Sequence, residues 1–283
     1  MDIRQAVFAG SWYPGTASEC QGLINSFLNT PLSSVPEKAP VAVVVPHAGW
    51  VFSGGIAGRA IALLRSDPPP DTVIVFGMHL PPEAAPRLIT AGGWETPLGV
   101  LPVDVDLAQE LARAFDGQTE DSRNFSPDNT IELQLPFIKH FFKQASIVPI
   151  GVPPAPVAEK IGRFAAEAAG RAGKTAVVIG STDLTHYGPN FGMTPYGTGQ
   201  QAHERVRREE DRRIIDRMVA MEPQAVIKEG LASGNACCAG AAAAAIAAGR
   251  VLGADSAMLT EYATSYDMSP GDSFVGYAGV AFY

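Results

Sequence analysis

The stretch Val41-Ala42-Val43-Val44-Val45-Pro46-His47 is an unbroken apolar run that ends at a histidine. Two further runs of this kind also end at polar residues, 72–78 at His79 and 175–182 at Asp183. Continuous rather than alternating apolar runs are typical of strands buried on both faces of a helix-covered parallel sheet. Ligands of such sheets bind outside the carboxyl ends of the strands, so the three runs predict a functional site at that edge.

Segments with helical spacing alternate with these strands. Residues 56–64 separate the first two runs, and residues 157–169 lie between a strand at 146–150 and the third run, so both segments predict βαβ-type connections. We predict one α/β domain over residues 1–283, with a central, largely parallel or mixed sheet flanked by helices on both faces. The final run, Phe274–Phe282, alternates in polarity and bulk, which predicts an edge or antiparallel strand.

Three helix boundaries are predicted from local signals. Asp106, followed by Gln109, is a candidate helix start. The apolar positions of residues 131–142 predict one helix with a candidate kink at Pro136. An Ala-rich helix is predicted from Ala236 to Ala248, ending before a glycine.

The composition excludes several classes of protein. The chain has 283 residues, 46% of them hydrophobic and 18% charged, with a net charge of −8. This acidic balance argues against a nucleic-acid partner, which needs a basic surface. The glycines at 54, 55 and 58 match neither a P-loop nor a dinucleotide fingerprint, so no nucleotide cofactor is predicted.

Cysteine usage and hydropathy indicate the compartment. Three cysteines, two of them adjacent, make a poor disulfide framework. No apolar run approaches the roughly 18 residues of a membrane span, and the first residues lack the apolar stretch of a secretory signal. We therefore predict a cytoplasmic protein with no membrane association.

Two histidines and a cysteine are the candidate metal ligands. His47 and His79 follow strands expected to be parallel neighbours, and neutral imidazole is the commonest metal ligand. Cys237 lies at the predicted amino end of the Ala-rich helix, where the helix dipole favours a thiolate. The alternatives are that each histidine hydrogen-bonds a loop and that Cys237 is a small packed residue.

Three further residues are candidates for proton transfer. Asp183 and His186 share the segment 181–188, where the carboxylate could orient the imidazole as a general base. Asp183 could equally cap a turn. Glu132, in the first turn of its helix, could point at the same crevice, although a first-turn Glu is favourable without any function.

The ordered motifs resemble those of the Memo family, also called AmmeMemoRadiSam system protein B in prokaryotes. The resemblance covers nearly the whole chain. It depends on the following segments: Ala9-Gly10-Ser11-Trp12-Tyr13-Pro14, Pro46-His47-Ala48-Gly49-Trp50, His79, Thr130-Ile131-Glu132-Leu133-Gln134-Leu135-Pro136-Phe137, Ser181-Thr182-Asp183-Leu184-Thr185-His186-Tyr187-Gly188 and Ala236-Cys237.

The resemblance implies a fold like that of the class III, LigB-type extradiol dioxygenases, which hold non-haem Fe(II) with two histidines and a glutamate. By position, His47 and His79 correspond to the two histidines, Cys237 replaces the carboxylate, and His186 matches the catalytic base. The resemblance also implies that three further residues line or brace the pocket: Trp12, Asp183 and Glu132.

Two departures from the family pattern stand out. Asn129 occupies a position where the family usually has histidine, and Cys238 one where it usually has glycine. A thiolate ligand also shifts preference toward softer or borderline ions such as Cu(I) and Zn(II), without excluding iron. The predicted cofactor is a divalent or redox metal ion, with iron or copper ranked ahead of zinc.

Three functions are compatible with these residues. The leading hypothesis is a metal-dependent oxidoreductase resembling the dioxygenases, acting on an unknown small molecule. The second is a non-catalytic module that binds a peptide or protein partner in the same pocket. The third is a metal-free hydrolase with Cys237 as nucleophile, His186 as base, and Asp183 or Glu132 as orienter. The family name further implies association with AmmeMemoRadiSam system protein A and a radical-SAM protein.

Overall fold

The computed structural model describes residues 2–30, 32, 36 and 38–283, along which strands and helices alternate. The elements in the first half of the chain are β1 (Ile3–Arg4), α1 (Ala17–Leu28), β2 (Ala42–Val45), α2 (Trp50–Leu63), β3 (Thr72–Gly77), β4 (Arg87–Ile89), β5 (Gly93–Trp94), β6 (Leu101–Pro102), α3 (Val105–Ala114), β7 (Gln118–Glu120), α4 (Asn129–Glu132) and α5 (Leu135–Phe141). The later elements are β8 (Ser146–Gly151), α6 (Val157–Arg171), β9 (Ala176–Ser181), β10 (His186–Tyr187), α7 (Gly199–Arg205), α8 (Asp211–Val219), α9 (Pro223–Ser233), α10 (Ala239–Val251), β11 (Ala257–Thr264), α11 (Ser265–Met268) and β12 (Phe274–Phe282).

A large mixed sheet forms the centre of the fold. Its strand order is β10-β12-β2-β9-β3-β8-β4-β7, and β11 pairs with β12. The four middle strands β2, β9, β3 and β8 are parallel, whereas β12 runs antiparallel to β2 and β4 runs antiparallel to β8. Strands β1, β5 and β6 form a separate small sheet. The predicted α/β class with a mixed central sheet is therefore confirmed.

Helices cover both faces of this sheet. On one face, Gly249 of α10 packs closely against Ala42 of β2 and Phe282 of β12. Successive side chains of a strand point to opposite faces, so Gly279, three residues before Phe282, faces the other side. There it lies against Ile56 of α2. The central strands are fully buried between these two layers, which explains their continuous apolar sequences.

The Ala-rich helix is buried over all but its last two residues because its small side chains allow close packing on two sides. Residues 239–249 are all buried, between the sheet and α6. At Gly162 of α6, an added Cβ would overlap the backbone of Ala244. At Gly180 of β9, it would meet the Cβ of Ala245. The helix that follows the cysteine pair is therefore held at short distance from both neighbours.

Several predicted boundaries were wrong. Helix α10 begins at Ala239 rather than residue 236, because Cys238 is its N-cap. Helix α3 begins after Asp104, whose carboxylate accepts from the Leu107 N–H, so Asp106 is not its cap.

The predicted helix 131–142 is two helices, and Pro136 lies in the first turn of the second, where it causes no kink. Strand β12 is antiparallel as predicted but is not an edge strand, since β11 and β2 pair with it on opposite sides. No helix within the described part of the chain has both the length and the apolar character needed to cross a membrane.

Candidate metal centre

The strand order brings the two predicted histidines together from strands that are not adjacent. Strand β9 lies between β2 and β3, so the expectation that the latter two are direct neighbours was wrong. Two strand spacings amount to about 10 Å, yet the imidazole rings of His47 and His79 reach across the end of β9. Their centroids lie 5.1 Å apart, with the ring planes at 89°.

His47 is buried and oriented by hydrogen bonds on one side of its ring. Its Nδ1 lies 3.0 Å from Ser181 Oγ, which itself donates to the Thr130 carbonyl at 2.7 Å. Because the Ser181 hydroxyl proton is used in that bond, the oxygen accepts from an N–H at Nδ1. The other nitrogen, Nε2, lies 3.2 Å from Cys237 Sγ. Orientation through the remote nitrogen is what a metal-ligating histidine usually shows.

Cys237 reaches the histidines because two loops are joined by backbone hydrogen bonds. The Cys237 N–H donates to the Asp183 carbonyl at 3.1 Å, and the Asp183 N–H donates to Cys237 Sγ at 3.3 Å. Alongside, the Cys238 N–H donates to Thr182 Oγ1 at 3.0 Å. The residues after β9 therefore fix the position of the cysteine pair that precedes α10.

Four potential donor atoms converge at this point. One ligand atom from each of His47, His79, Cys237 and Cys238 lies within 4.8 Å of the other three. In a tetrahedral site with metal–sulfur bonds of about 2.3 Å and metal–nitrogen bonds of about 2.0 Å, neighbouring donors lie roughly 3.3–3.8 Å apart. The chemistry and spacing of these donors fit a borderline or soft metal ion with little rearrangement.

The electrostatics of the cluster favour a thiolate at Cys237. Burial opposes its ionisation, but the hydrogen bond from Cys238 and the charge of His47 outweigh burial and hold the pKa of Cys237 well below its usual value. Burial likewise opposes the charged form of His47. The negative charges of Asp183 and Cys237 nevertheless raise the pKa of His47 to about 9. A metal ion would replace the proton shared within this pair.

Asp183 acts on His47 rather than on His186. Its Oδ1 accepts from the backbone N–H of His47 at 2.7 Å, and its Oδ2 lies 3.9 Å from His47 Nε2. Burial raises the pKa of this carboxyl group, against the opposing charge of His47. The side chain therefore holds the loop that carries the first histidine.

His186 lies at the side of the same cavity. Its Nδ1 lies 3.2 Å from the Leu184 carbonyl, and its ring packs edge-on against Phe191 with centroids 5.1 Å apart. Among the described residues, no hydrogen bond joins it to Cys237 or to the Asp183 carboxylate. The predicted pairing of Cys237 with His186 is thus replaced by a pairing with His47.

Glu132 occupies a bracing position outside the cavity wall. Its Oε1 accepts from the backbone N–H groups of Val7 and Phe8, each at 2.7 Å, and from the Tyr13 hydroxyl at 3.1 Å. The side chain is fully buried, and burial raises its pKa. This geometry gives no support to the catalytic role predicted for Glu132. It instead fixes the segment that carries Trp12.

Two contributors to the site were not predicted from sequence. Asn129 donates from Nδ2 to the His47 carbonyl at 3.2 Å. Asp211 is fully buried behind the segment that carries His186, where it accepts from the Thr185 N–H at 3.1 Å and from the Tyr262 hydroxyl at 2.7 Å. In the sequence Asp211 is one charge among many in the stretch 204–213, so no local signal distinguishes it.

A cavity of about 1010 Å³ opens onto the donor cluster. Its polar lining includes His47, His79, Asn129, Asp183 and His186. The predicted pocket residue Trp12 and the apolar residues Val51, Phe52 and Phe191 also line it, and these four side chains are exposed at its mouth. A second cavity, of about 890 Å³, lies between α7, α8 and β11 and is lined by none of the predicted site residues.

Comparison with known proteins shows the family to which the chain belongs. A family model described as Memo-like protein matches residues 4–281. A MEMO1 family protein of Thermococcus onnurineus is 32% identical over 290 residues, covering 99% of each chain. One from Thermococcus kodakarensis is 32% identical over 289 residues, again covering 99% of each chain. One from Methanothermobacter thermautotrophicus is 36% identical over 244 residues, covering 83% of this chain and 82% of its own. Since the match spans the sheet and every loop that contributes to the cluster, the chain belongs to the Memo family.

Proposed function

We propose that this protein is a metal-dependent oxidoreductase, resembling the extradiol dioxygenases in the construction of its site, that acts on a small molecule in the cytoplasm. One observation supports this proposal above the others. The imidazoles of His47 and His79 line a cavity of about 1010 Å³, and the sulfur of Cys237, from a third loop, lies 3.2 Å from His47 Nε2. Convergence of this kind serves ligand binding more readily than stability, because it brings buried polar groups together.

The proposed metal ligands are His47, His79 and Cys237, and the proposed ion is iron or copper. Bound there, the ion would supply one-electron redox chemistry beside the cavity. Asp183 holds His47 through its backbone N–H, and Ser181 holds it through Nδ1 of the ring. The exposed rim formed by Trp12, Val51, Phe52 and Phe191 favours a ligand with an apolar portion.

His186 is the proposed proton carrier. An N–H at Nδ1 directed at the Leu184 carbonyl leaves Nε2 as the nitrogen that accepts a proton. Packing against Phe191 holds the ring in position. The association with AmmeMemoRadiSam system protein A and a radical-SAM protein that the family name implies remains part of this proposal, since such partners would act on the same small molecule.

The test is metal content after reconstitution under anaerobic conditions with iron, copper or zinc salts. We expect one ion per wild-type chain and a loss of at least tenfold in affinity for His47→Ala, since removal even of groups outside the coordination sphere costs 10–100-fold. His140→Ala is the matched control, because this histidine lies on α5 outside the cluster. Unchanged metal content in His47→Ala would refute the assignment. Oxygen consumption by the iron-loaded protein with a panel of small aromatic and aliphatic compounds then tests the oxidoreductase activity.

A cysteine hydrolase is the second candidate, favoured by the Cys237–His47 contact. A separation of 3.2 Å between Cys237 Sγ and His47 Nε2 is within the range of a nucleophile and its base, and Ser181 Oγ orients the imidazole from Nδ1 on its other side. Metal-free protein that acylates stoichiometrically at Cys237 and then releases the acyl group would favour this function. Acylation that leaves a stable adduct would not.

A further inference from the structure

We infer that Cys238 is a fourth protein ligand, so that this chain has a site with two histidines and two cysteines that selects thiophilic ions over iron. The inference rests on the proposed metal site at His47, His79 and Cys237 and concerns the residue at which this chain departs from the family pattern. A glycine at position 238 would offer no side-chain donor. The cysteine here therefore changes the chemistry of the site without changing its location.

The position of the Cys238 sulfur supports this ligand role. Its Sγ belongs to the group of four donor atoms that lie within 4.8 Å of one another. That limit is about 1 Å above the longest donor–donor separation of a tetrahedral zinc site, roughly 3.8 Å between two sulfurs.

The surroundings of Cys238 leave its thiol available for coordination. Its side chain is 2% exposed. Among the described residues, the acceptors within reach of its S–H are Cys237 Sγ, itself a member of the donor group, and the Met78 carbonyl at the long distance of 3.6 Å. Its backbone is fixed by the bond to Thr182 Oγ1, and it forms the N-cap of α10.

Cys20 shows what an ordinary buried cysteine of this chain looks like. It is fully buried in α1 and lies outside the donor cluster. Burial alone raises its pKa to about 12. No histidine or second sulfur is grouped with it, so Cys20 serves as the matched control for Cys238.

A second thiolate has a defined consequence for metal selection. Thiolate ligands favour zinc and Cu(I), whereas a site open for oxygen chemistry on iron usually combines histidines with a carboxylate. Of the two ions proposed above, two sulfurs and two imidazoles therefore favour copper, as Cu(I), over iron, and zinc serves as a redox-silent probe of the same donors. We therefore expect zinc to be preferred over iron by a larger factor here than in a variant with glycine at position 238.

X-ray absorption at the zinc edge counts the sulfur ligands directly. The full-length protein is loaded anaerobically with one equivalent of Zn²⁺ in the presence of a reductant. We expect two sulfurs at about 2.3 Å in the wild type and in Cys20→Ser, and one sulfur in Cys238→Ser and Cys238→Gly. Competition between Fe²⁺ and Zn²⁺ should also show at least a tenfold loss of zinc preference in Cys238→Gly.

The outcomes separate this inference from the proposed function. One sulfur in the wild type, or two in Cys238→Gly, overturns the role of Cys238. In that case, a Cys237→Ser variant that no longer binds zinc would show that the proposed three-residue site still stands. A wild-type chain that takes up no metal ion overturns both. Thermal melting of each variant shows whether it is folded, and Cys238→Ser, which preserves size, tests the ligand role if the glycine variant is unstable.

Discussion

Replacing Gly162 with alanine tests the close packing that positions the helix after the cysteine pair. The new Cβ would overlap three backbone atoms of Ala244, its carbonyl oxygen, carbonyl carbon and Cα, none of which can rotate away. Alanine gains about 0.5–1 kcal/mol in a helix interior over glycine. Overpacking typically costs about 1–3 kcal/mol, and a rigid backbone neighbour places this case at the upper end. We expect a net loss of about 2 kcal/mol, or roughly 3 °C in melting temperature for a chain of this size.

Gly170 provides the matched control on the same helix. An added Cβ there meets nothing within 4 Å, so Gly170→Ala keeps the propensity gain without the overlap and should be neutral or stabilised by up to about 1 kcal/mol. Urea unfolding followed by circular dichroism gives both free energies. Equal stability of the two variants would refute the reasoning, since it would mean that α6 and α10 separate without cost.

Two further predictions concern buried carboxyl groups near the site. Burial raises the pKa of Asp211 to about 6, although the bonds from Thr185 and Tyr262 lower it, whereas the unfolded chain titrates near 3.9. Stability from this group is therefore complete below about pH 4 and is lost as pH rises through 6, by roughly 3 kcal/mol. The unfolding free energy of the wild type minus that of Asp211→Asn should fall across this window, and a constant difference would contradict it. For Glu132, the glutamine variant keeps an acceptor oxygen for the backbone N–H groups of Val7 and Phe8. The alanine variant leaves these donors without that acceptor, so its free energy of unfolding in urea should fall by about 2–4 kcal/mol. Equal stabilities of the two variants would exclude the bracing role.

The sheet was largely predictable because burial on both faces leaves a local signature. The predicted runs at 41–46, 72–78 and 175–182 contain strands β2, β3 and β9, which are buried apart from the half-buried Ala176, as their continuous apolar sequences predict. Their order could not be predicted, because nothing in a strand's own sequence states which neighbour it pairs with. Sequence order favoured β2 beside β3, but the sheet places β9 between them.

The predicted helix boundaries are wrong where two sequence signals compete within a few residues. Asp104 and Asp106 are both acceptable caps, and the choice depends on which carboxylate meets the Leu107 N–H. The start of α10 was placed too early because alanine at 236 favours a helix, whereas the segment 235–238 is held in another conformation by its bonds to residues 182 and 183. Contacts distant in sequence override propensity at both places.

Two of the predicted donors, His47 and Cys237, converge because one short segment after β9 holds both of them. The carboxylate of Asp183 accepts from the backbone N–H of His47. The Asp183 carbonyl accepts from the Cys237 N–H, and the Asp183 N–H donates to the Cys237 sulfur. Sequence proximity predicts that Asp183 orients His186, but its carboxylate instead bonds to His47, a histidine 136 positions away. Sequence spacing could identify the groups that carry the chemistry, but not their pairing, since a loop at a sheet edge contacts whichever strands the topology places beside it. The end of β9, between the two strands that carry the histidines, is thus the part of the fold on which the geometry of the whole cluster depends.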